Sequence, residues 1–355
     1  MPVDLLIVGQ GLAGSLLAWY SLRRHFSVLV IDDGEFNASR VAAGLINPVS
    51  GQRLNLNPEI AALLPFAERC YRQFAVHFAR TFFIPLNMLR ILQTERERQY
   101  AERRLLDPRY REFLQTECDY PEPVQAPLGV VVQKQTGYLN TGLLLDSLRD
   151  YFMERGIYRQ TRLDYAEITL QAGLSWRDVR PRHIVFCEGY RGGKNPWFGL
   201  LPFQPAKGEI ITCVSERHTP NRILNYGNWL LPIGPETFKV GASFSPKFSD
   251  TRPNPETRRQ LLTRLQAVYP DLARAEVVQH AAGVRPTTLD KQPLIGTHPH
   301  HPNLHIFNGF GAKGSLSIPW YAERFAAHLQ EGVALPKQAD IRRYYDQSFI
   351  DPHSA

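Results

Sequence analysis

The first 32 residues alternate between short apolar runs and a glycine-rich turn. Residues 4–8 and 27–31 have the apolar pattern of strands, and residues 15–22 between them have the pattern of a helix. The first run leads into Gly9-Gln10-Gly11-Leu12-Ala13-Gly14, and the second ends on Asp32. A strand, a glycine-rich turn, a helix, a strand and an acid in this order are typical of a dinucleotide-binding fold.

Each of these positions has a physical reason. Gly9 lets the chain turn tightly off the strand, Gly11 lets the backbone approach a pyrophosphate, and Gly14 lets helix and strand pack closely. The start of the helix offers backbone N–H groups to the anion. Asp32 is placed to accept hydrogen bonds from a ribose 2′-OH, which favours FAD or NAD over NADP. The alternative is a purely structural glycine turn.

The remaining hydrophobic pattern predicts an alternation of helices and strands. Helices are expected at 58–78, 95–106, 141–155, 255–269 and 316–329. Strands are expected at 82–92, 128–133, 182–189, 210–214, 229–232, 238–244 and 304–308. Residues 33–40 are expected to form a loop, and residues 284–296 an irregular segment.

The order of these elements predicts an interleaved domain organisation. The strands at 182–189 and 304–308 are expected to return to the N-terminal sheet, so we expect an α/β fold with an α+β insertion. A Rossmann-like dinucleotide-binding domain is predicted from residues 1–80, 140–200 and 280–355. An antiparallel-sheet substrate domain is predicted from residues 81–139 and 201–279. Such an insertion is expected to place a catalytic cleft at the domain junction.

Composition excludes several classes of protein. Hydrophobic residues make up 43% and charged residues 21% of the 355 residues, which is ordinary for a globular protein. No apolar stretch approaches the ~20 residues that cross a bilayer, so no membrane partner is expected. Because the first strand begins by Val3, with no room for a signal peptide, a cytoplasmic location is expected. The four cysteines, Cys70, Cys118, Cys187 and Cys213, have the spacing of neither a disulfide framework nor a zinc site.

The net charge of +7 would help to attract an anionic partner, including RNA. The densest basic stretch runs from Arg96 to Arg111. Glu97, Glu102 and Asp107 interrupt it, which is typical of a solvated helix face. The charge alone therefore does not assign a nucleic-acid partner.

Several ordered segments resemble one enzyme group, the FAD-dependent amino-acid oxidase superfamily that contains glycine oxidase, D-amino acid oxidase and sarcosine oxidase. The resemblance covers nearly the whole chain. It is carried by the N-terminal turn with Asp32 and by these segments: Ala42-Ala43-Gly44, residues 203–208, Val240-Gly241-Ala242-Ser243, residues 283–296, and the second glycine-rich turn Gly309-Phe310-Gly311-Ala312-Lys313-Gly314.

The resemblance implies that the Rossmann-like domain is an FAD-binding domain. It also implies that hydride passes from the carbon beside an amine to flavin N5, giving an imine that water hydrolyses. The 283–296 segment contains no cysteine, unlike the related region of sarcosine oxidases that bind flavin covalently, so non-covalent FAD is expected. The implied cofactor contacts are Gly9, Gly11, Leu12, Ala13, Gly14, Asp32, Asp33, Arg40, Ala42, Ala43, Gly44, Leu45, Gly189, Gly309, Gly311, Ala312, Lys313, Gly314 and Ser315.

Three residues are predicted to serve the reaction itself. Arg285 is implied to bind the substrate carboxylate, with a structural ion pair to Asp290 as the alternative. Lys313 would place positive charge near the reduced flavin, or be a solvent-exposed loop lysine. Trp229 stands where glycine oxidase has a tyrosine and would line the substrate pocket, or be a core tryptophan.

Two other polar features of the sequence are Asn47 and a group of three histidines. Asn47 faces the flavin or initiates a turn before Pro48. The histidines His298, His300 and His301 lie in a predicted loop without a fourth ligand, so we expect solvated histidines and no metal.

The sequence is compatible with three candidate functions. The first is oxidation of the C–N bond of a small amine that carries a carboxylate. The second is a tRNA-modifying oxidase, because the final segments also resemble the domain of a bifunctional enzyme that removes a carboxymethyl group from a wobble uridine. The third is a non-catalytic flavin-binding protein. The sequence leaves the oligomeric state open.

Overall fold

The computed structural model describes residues 1–35, 37–117, 120, 123–171, 173–217, 219–272 and 274–345; Cys118 lies outside these ranges. Within them the chain forms seven α-helices and 21 strands. The helices are α1 (Leu12–Arg23), α2 (Ala38–Val41), α3 (Ile60–Phe78), α4 (Glu95–Leu106), α5 (Thr141–Glu154), α6 (Pro255–Val268) and α7 (Gly314–Glu331).

The strands are mostly short. They are β1 (Pro2–Val8), β2 (Val28–Asp32), β3 (Leu45–Ile46), β4 (Val49–Ser50), β5 (Asn55–Leu56), β6 (Phe83–Pro85), β7 (Met88–Ile91), β8 (Leu114–Thr116), β9 (Val130–Gln133), β10 (Gly137–Leu139), β11 (Tyr158–Gln160), β12 (Ile168–Thr169), β13 (Ser175–Trp176), β14 (Arg180–Phe186), β15 (Ala206–Val214), β16 (Ile223–Tyr226), β17 (Asn228–Pro232), β18 (Thr237–Gly241), β19 (Glu276–Arg285), β20 (Leu294–Thr297) and β21 (Leu304–Asn308).

The chain divides into two compact units. Unit 1 contains Met1–Arg40, Thr141–Ala206 and Val284–Ala355, and unit 2 contains Val41–Asn140 and Lys207–Gly283. Residues 41–80, which the sequence grouped with the dinucleotide-binding pieces, therefore pack within unit 2. The functional role assigned to each predicted domain stays a prediction.

Unit 1 is built on a six-stranded sheet in the order β11-β2-β1-β14-β21-β20. All neighbouring strands run parallel except the edge pair β20 and β21. Leu6 is aligned with Leu29 on one side and Ile184 on the other, and all three side chains are buried. Helix α1 packs against α5 and α7. Strands buried on both faces explain the continuous apolar runs in the sequence.

Unit 2 is built on an eight-stranded sheet in the order β19-β15-β18-β17-β16-β7-β9-β8. The pairs from β15 to β16 and from β7 to β8 are antiparallel, whereas β16 and β7 run parallel. Leu261 and Leu265 of α6 pack with Phe238 in the core on one face of this sheet. On the other face Ile210 and Leu231 belong to a second apolar cluster. The predicted α/β fold with an interleaved, largely antiparallel sheet is confirmed.

Several predicted elements are confirmed with little change. Helix α4 and strand β21 have the predicted bounds, and α6 differs by one residue at its end. The side chain of Thr94 accepts a hydrogen bond from the backbone N–H of Glu97 at 3.1 Å, and a carboxylate oxygen of Glu97 accepts one from the N–H of Gln93 at 2.9 Å. Local capping of this kind specifies where a helix begins.

Other predicted elements were wrong in part. The segment 284–296 is not irregular throughout, because β19 continues to Arg285 and β20 begins at Leu294. The predicted strand 82–92 is two strands, β6 and β7, in two different sheets, and the predicted strand 238–244 ends at Gly241. The predicted loop 33–40 ends in the short helix α2, where the Asn37 side chain accepts the backbone N–H of Ser39 at 3.1 Å.

The prediction that α4 presents a solvated face was also wrong at one position. Glu97 is only 4% exposed and pairs with the equally buried Arg90, with 2.8 Å between Oε1 and Nη2. Helix periodicity explains the difference, since Glu97 and Ala101 are four residues apart and both face the core. None of the described helices combines the length and the apolar composition that a bilayer crossing requires.

Candidate cofactor-binding and substrate site

The first glycine-rich turn connects β1 to α1 in unit 1. Gly9 has a φ of +106°, and its N–H donates to the carbonyl of Ile31 at 2.7 Å. A Cβ on Gly9 would lie 2.6 Å from the carbonyl oxygen of Cys187, and a Cβ on Gly14 would overlap the carbonyl oxygen of Gly9. Both positions therefore exclude any other residue, as the sequence pattern predicted.

The N-terminus of α1 carries backbone donors for an anion. Gly11 is the N-cap residue and has no side chain with which to cap the helix. The side chain of Ser39 accepts the N–H of Leu12 at 3.1 Å. In the described part of the chain, the N–H groups of Ala13 and Gly14 have no acceptor. Two adjacent donors at a helix start are suited to a phosphate oxygen.

Asp32 lies at the end of β2, beside this turn. Its Oδ2 accepts the N–H of Gln10 at 2.7 Å, and its Oδ1 accepts the N–H of Gly34 at 2.8 Å. Burial raises the pKa of Asp32, and these two hydrogen bonds offset part of that effect. Because each carboxylate oxygen has two lone pairs, the group keeps acceptor capacity for a sugar hydroxyl.

The two charged residues predicted beyond Asp32 are engaged in ion pairs. The Asp33 carboxylate accepts from Arg191, which also bonds Glu35. Burial raises the pKa of Asp33, but the N–H of Glu35 and the charge of Arg191 outweigh it, so the pKa lies below the usual value. Arg40 pairs with Asp146, with 2.8 Å between Nη2 and Oδ1. Their predicted cofactor contacts stay predictions.

The second glycine-rich turn joins β21 to α7, also in unit 1. Gly309 and Gly311 have φ values of +80° and +55°. The Asn308 side chain accepts the N–H of Gly309 and donates to the carbonyl of Gly189, both at 2.8 Å. A Cβ on Gly309 would lie 2.9 Å from the Thr288 methyl group. Asn308 thus connects this turn to Gly189, another predicted cofactor contact.

Arg285 lies on the segment against which the second turn packs. The N–H of Gly311 donates to the carbonyl of Pro286 at 3.2 Å, and the N–H of Thr287 donates to the carbonyl of Arg285 at 2.9 Å. Arg285 is half-buried, and this burial lowers its pKa. Unit 1 therefore brings Arg285 and the Gly309–Gly314 turn to neighbouring segments.

The alternative partner of Arg285 is engaged elsewhere. The Asp290 carboxylate accepts from Arg343 Nε at 3.0 Å and from the Tyr344 hydroxyl at 2.6 Å. It also accepts the N–H of Gln292 at 2.9 Å. Asp290 thus fastens the segment after Arg285 to the C-terminal part of unit 1.

Lys313 is the N-cap residue of α7. Its carbonyl accepts the N–H groups of Leu316 and Ser317, each at 3.1 Å. The side chain reaches solvent, yet desolvation by the surrounding turn lowers its pKa, with a smaller contribution from the charge of Lys291. Ala312, Gly314 and Ser315 follow the same turn into the helix.

Trp229 belongs to unit 2 and lies on β17, in register with Gly241 of β18. A Cβ on Gly241 would meet the indole ring at 2.7 Å and Ile210 at 3.0 Å. The indole is half-buried and packs with the apolar cluster that includes Ile210 and Leu231. Trp229 is therefore at least partly a packing residue of unit 2.

The Ala42-Ala43-Gly44-Leu45 segment also belongs to unit 2. Gly44 has a φ of +70°, and a Cβ there would overlap the carbonyl oxygen of Leu139. The N–H of Leu139 donates to the carbonyl of Gly44 at 2.9 Å. Close packing on β10 explains this glycine without a ligand. Asn47 donates from its side chain to the carbonyl of Val49 at 3.2 Å, as expected for a turn residue.

Comparison with known proteins decides the family. Residues 4–328 match the family model described as DAO, FAD dependent oxidoreductase. This chain belongs to that family. The family is one of FAD-dependent oxidoreductase enzymes, as the sequence analysis predicted.

Individual relatives are distant. A tRNA 5-methylaminomethyl-2-thiouridine biosynthesis bifunctional protein of Acinetobacter baylyi is 23% identical over 94% of this chain, which spans 54% of that protein. The chain thus spans a little over half the length of these bifunctional relatives. Glycine oxidase of Pseudomonas putida is 24% identical over 92% of this chain and 94% of its own length. The crystal structure of glycine oxidase from Bacillus cereus has a TM-score of 0.78 at 21% identity, covering 94% of this chain and 96% of that chain.

The residues of unit 1 fit the cofactor of the DAO family. The N–H groups of Ala13 and Gly14 lie at the start of α1, the Asp32 carboxylate keeps acceptor capacity, and the backbone beside Gly9 and Gly14 has no room for side chains. These are the donor, acceptor and close-approach features that a dinucleotide needs. The same features are present in a fold that glycine oxidase shares.

One of the three histidines differs from the prediction, whereas His300 is exposed as expected. His298 is only 7% exposed rather than solvated, and its Nδ1 accepts the N–H of His300 at 3.2 Å. Burial lowers the pKa of His298 to about 4, with smaller contributions from His301 and His300. Among the described residues, no group of His, Cys, Asp or Glu has the arrangement of a metal site.

Three residues around the candidate site were not singled out from the sequence. They are Gln10, whose side chain donates to the carbonyl of Leu145 at 2.9 Å, together with Ser39 and Asn308. The signal for Gln10 was its place inside the glycine-rich turn. Ser39 acts on Leu12 from 27 residues away, and no local pattern indicates that contact.

Proposed function

We propose that this chain oxidises the C–N bond of an amine that carries a carboxylate, such as glycine, an N-substituted glycine or a D-amino acid. The first glycine-rich turn and Asp32 of unit 1 would hold FAD non-covalently, and the cofactor would supply the acceptor for the hydride that leaves the carbon next to the amine nitrogen. Water would then hydrolyse the imine to a carbonyl product and the released amine, and an external electron acceptor would have to reoxidise the cofactor for a further turnover. The family membership and the fit of unit 1 to a dinucleotide support the cofactor.

The position and burial of Arg285 are the observation that supports the substrate assignment. Its guanidinium is half-buried at the end of β19, next to the segment that receives the Gly309–Gly314 turn. An arginine stays charged at neutral pH even when burial lowers its pKa. A planar guanidinium offers a carboxylate two parallel hydrogen bonds, which fixes the orientation of the amine. Asp290, the alternative partner, is bound by Arg343 and Tyr344.

Other residues have supporting roles in this proposal. Lys313 and the N-terminus of α7 supply positive potential, which favours negative charge that develops on the bound cofactor. Trp229 stays a predicted substrate contact. Since no residue is assigned as general base, the substrate amine has to be deprotonated before hydride leaves, and activity should rise with pH towards the pKa of that amine.

The test is an anaerobic reduction experiment on the purified FAD-bound protein. Glycine, sarcosine, iminodiacetate and D-alanine are each mixed with the protein, and the visible absorbance of oxidised flavin is followed. The matched controls are the amides of the same compounds, which keep the amine and lose the carboxylate. Loss of absorbance with one or more acids and not with the amides supports the proposal. Equal reduction by acid and amide would contradict it.

A second candidate function is removal of a carboxymethyl group from the wobble uridine of tRNA. It is favoured by the names of the first bifunctional relatives, which act in tRNA 5-methylaminomethyl-2-thiouridine biosynthesis. The modified uridine is chemically an N-substituted glycine, so Arg285 would bind its carboxylate in the same way. Flavin reduction by tRNA that carries this group, without reduction by the small acids, would favour the second candidate.

A further inference from the structure

Two arginines of unit 2 lie against the ring of one tyrosine, and the charge of a third acts on the same tyrosine. Tyr100 lies in the middle of α4, with Arg96 four residues before it and Arg103 three residues after it, on the same helix face. The guanidinium carbons lie 6.0 Å and 5.1 Å from the centre of the Tyr100 ring. Arg53 lies in the turn between β4 and β5, and its charge acts on Tyr100. We call Arg53, Arg96, Tyr100 and Arg103 the arginine–tyrosine patch.

The charges of this patch are not neutralised as those of its neighbours are. Arg98, on the same helix, pairs with Glu95 at 2.8 Å, and Arg109 pairs with Asp107 at 2.6 Å. In the part of the chain that the structure describes, Arg53, Arg96 and Arg103 have no carboxylate within ion-pair distance.

The effect of these charges is visible at Tyr100 itself. A hydrogen bond from Arg96 lowers the pKa of its hydroxyl, and the charges of Arg96, Arg53 and Arg103 add to that effect. All three arginines are exposed, so the positive potential faces solvent. Like charges gathered around one point repel each other, and a bound anion removes that repulsion.

The patch is also held in place. The Tyr100 ring packs against a buried cluster that includes Leu54, Ala101 and Tyr110. Arg103 Nε donates to the carbonyl of Gln99 at 3.2 Å. Side chains already fixed by packing and hydrogen bonds lose less conformational entropy when a ligand binds.

We propose that the arginine–tyrosine patch binds the phosphate backbone of RNA; this rests on the second candidate function. Arg96 and Arg103 are seven residues apart, which is about 10 Å along the helix axis, so their guanidinium groups reach separate phosphates. Guanidinium groups bind phosphate oxygens through paired hydrogen bonds, and an aromatic ring beside them suits an unpaired base. Leu106 at the end of α4 is exposed, but one aliphatic side chain is not the apolar helix face that binding in a bilayer interface requires, which favours RNA over an anionic membrane.

The test compares two double variants that remove the same charge from the same segment. Arg96→Gln/Arg103→Gln removes two patch arginines, whereas the control Arg98→Gln/Arg109→Gln removes two arginines held by acids. Binding of bulk tRNA to the FAD-bound protein is measured by fluorescence anisotropy over a range of salt concentrations. Flavin reduction by a saturating concentration of the substrate found under the proposed function, small acid or modified tRNA, is measured in parallel, since neither pair belongs to the substrate site.

The patch variant is expected to bind tRNA at least about tenfold more weakly. The slope of the logarithm of its binding constant against the logarithm of salt concentration should be smaller by about 2, one for each lost phosphate contact. The control variant is expected to change both much less. Equal losses in the two variants, no loss in either, or no tRNA binding by the unmodified protein would overturn the proposal. Binding to anionic lipid vesicles that alone depends on Arg96 and Arg103 would overturn it as well. Retained flavin reduction in any of these cases leaves the oxidase function standing.

Discussion

The Asp32 carboxylate accepts a hydrogen bond from the backbone N–H of Gln10, with 2.7 Å between Oδ2 and N. These residues are 22 positions apart, and the bond ties the end of β2 to the glycine-rich turn before α1. The acid that would bind the ribose therefore also holds the turn that would bind the pyrophosphate.

Asp32→Ala removes both roles at once. We expect the Kd for FAD to rise about 10- to 100-fold, because a hydrogen bond to a charged group contributes about 1.5–3 kcal/mol. Titration of the apoprotein with FAD, followed by flavin fluorescence, measures the change. The control is Asp178→Ala, which removes an exposed carboxylate paired with Arg159 at 2.7 Å and should leave the Kd unchanged. An unchanged Kd in Asp32→Ala would remove Asp32 from the cofactor site.

Gly14→Ala tests the close approach of α1 to β1. The added methyl group would overlap the carbonyl oxygen of Gly9, so backbone has to move. Overpacking costs about 1–3 kcal/mol or more, and we expect a lower Tm and loss of bound flavin. Gly193→Ala is the matched control, because the nearest atom to its Cβ is Phe203 Cβ at 3.8 Å. Equal Tm values for the two variants would show that the turn tolerates a side chain.

Glu97→Gln tests the buried ion pair of unit 2. It leaves the Arg90 guanidinium buried without its counter-charge, although Asn225 still accepts from Arg90 at 2.9 Å. Breaking a buried pair costs about 3–5 kcal/mol, so the urea midpoint should fall clearly. Glu95→Gln breaks the exposed pair with Arg98 on the same helix, and we expect an effect within about 0.5 kcal/mol. Similar midpoints in both variants would mean that Glu97 is accessible to water.

His298 gives unit 1 a pH dependence of known sign. Its pKa is lowered from 6.5 to about 4 by burial, so folding favours the neutral ring. The contribution of the neutral ring to the free energy of unfolding is about 3 kcal/mol. It is complete above pH 6.5 and is lost as the pH falls from 6.5 towards 4. Urea midpoints between pH 7 and 5 should fall less steeply in His298→Gln than in the unmodified protein. His25→Asn, at an exposed position whose positive φ asparagine tolerates, should keep the original slope.

Local chemistry explains which elements the sequence could predict. Gly14 and the capping residues Thr94 and Glu97 act on neighbours a few residues away, and their elements have the predicted form. Strand β3 has only two residues and forms because Gly137 and Tyr138 pair with it from 91 and 93 positions away (137 − 46 and 138 − 45), so no local period indicates it. Likewise β20 is a strand because β21 aligns with it.

The candidate site follows the same rule. Asp32, Arg285 and the second glycine-rich turn could be predicted as candidate site residues from the sequence, since each has a distinctive residue type in a distinctive segment. The effect of Arg53 on Tyr100 could not be predicted, because the two residues are 47 positions apart (100 − 53). Only the packing of the turn after β4 on α4 brings them together. The burial of Glu97 depends in the same way on Arg90 in β7.

The carboxylate-binding role of Arg285 is tested most directly by anaerobic flavin reduction in Arg285→Ala. The variant is expected to retain FAD with an unchanged Kd. Its reduction rate constant with the best acid substrate should fall at least about 100-fold, because one paired guanidinium–carboxylate contact contributes about 3 kcal/mol. Its rate with the corresponding amide should match that of the unmodified protein. Reduction by the acid at the unmodified rate would contradict the proposed function at its centre.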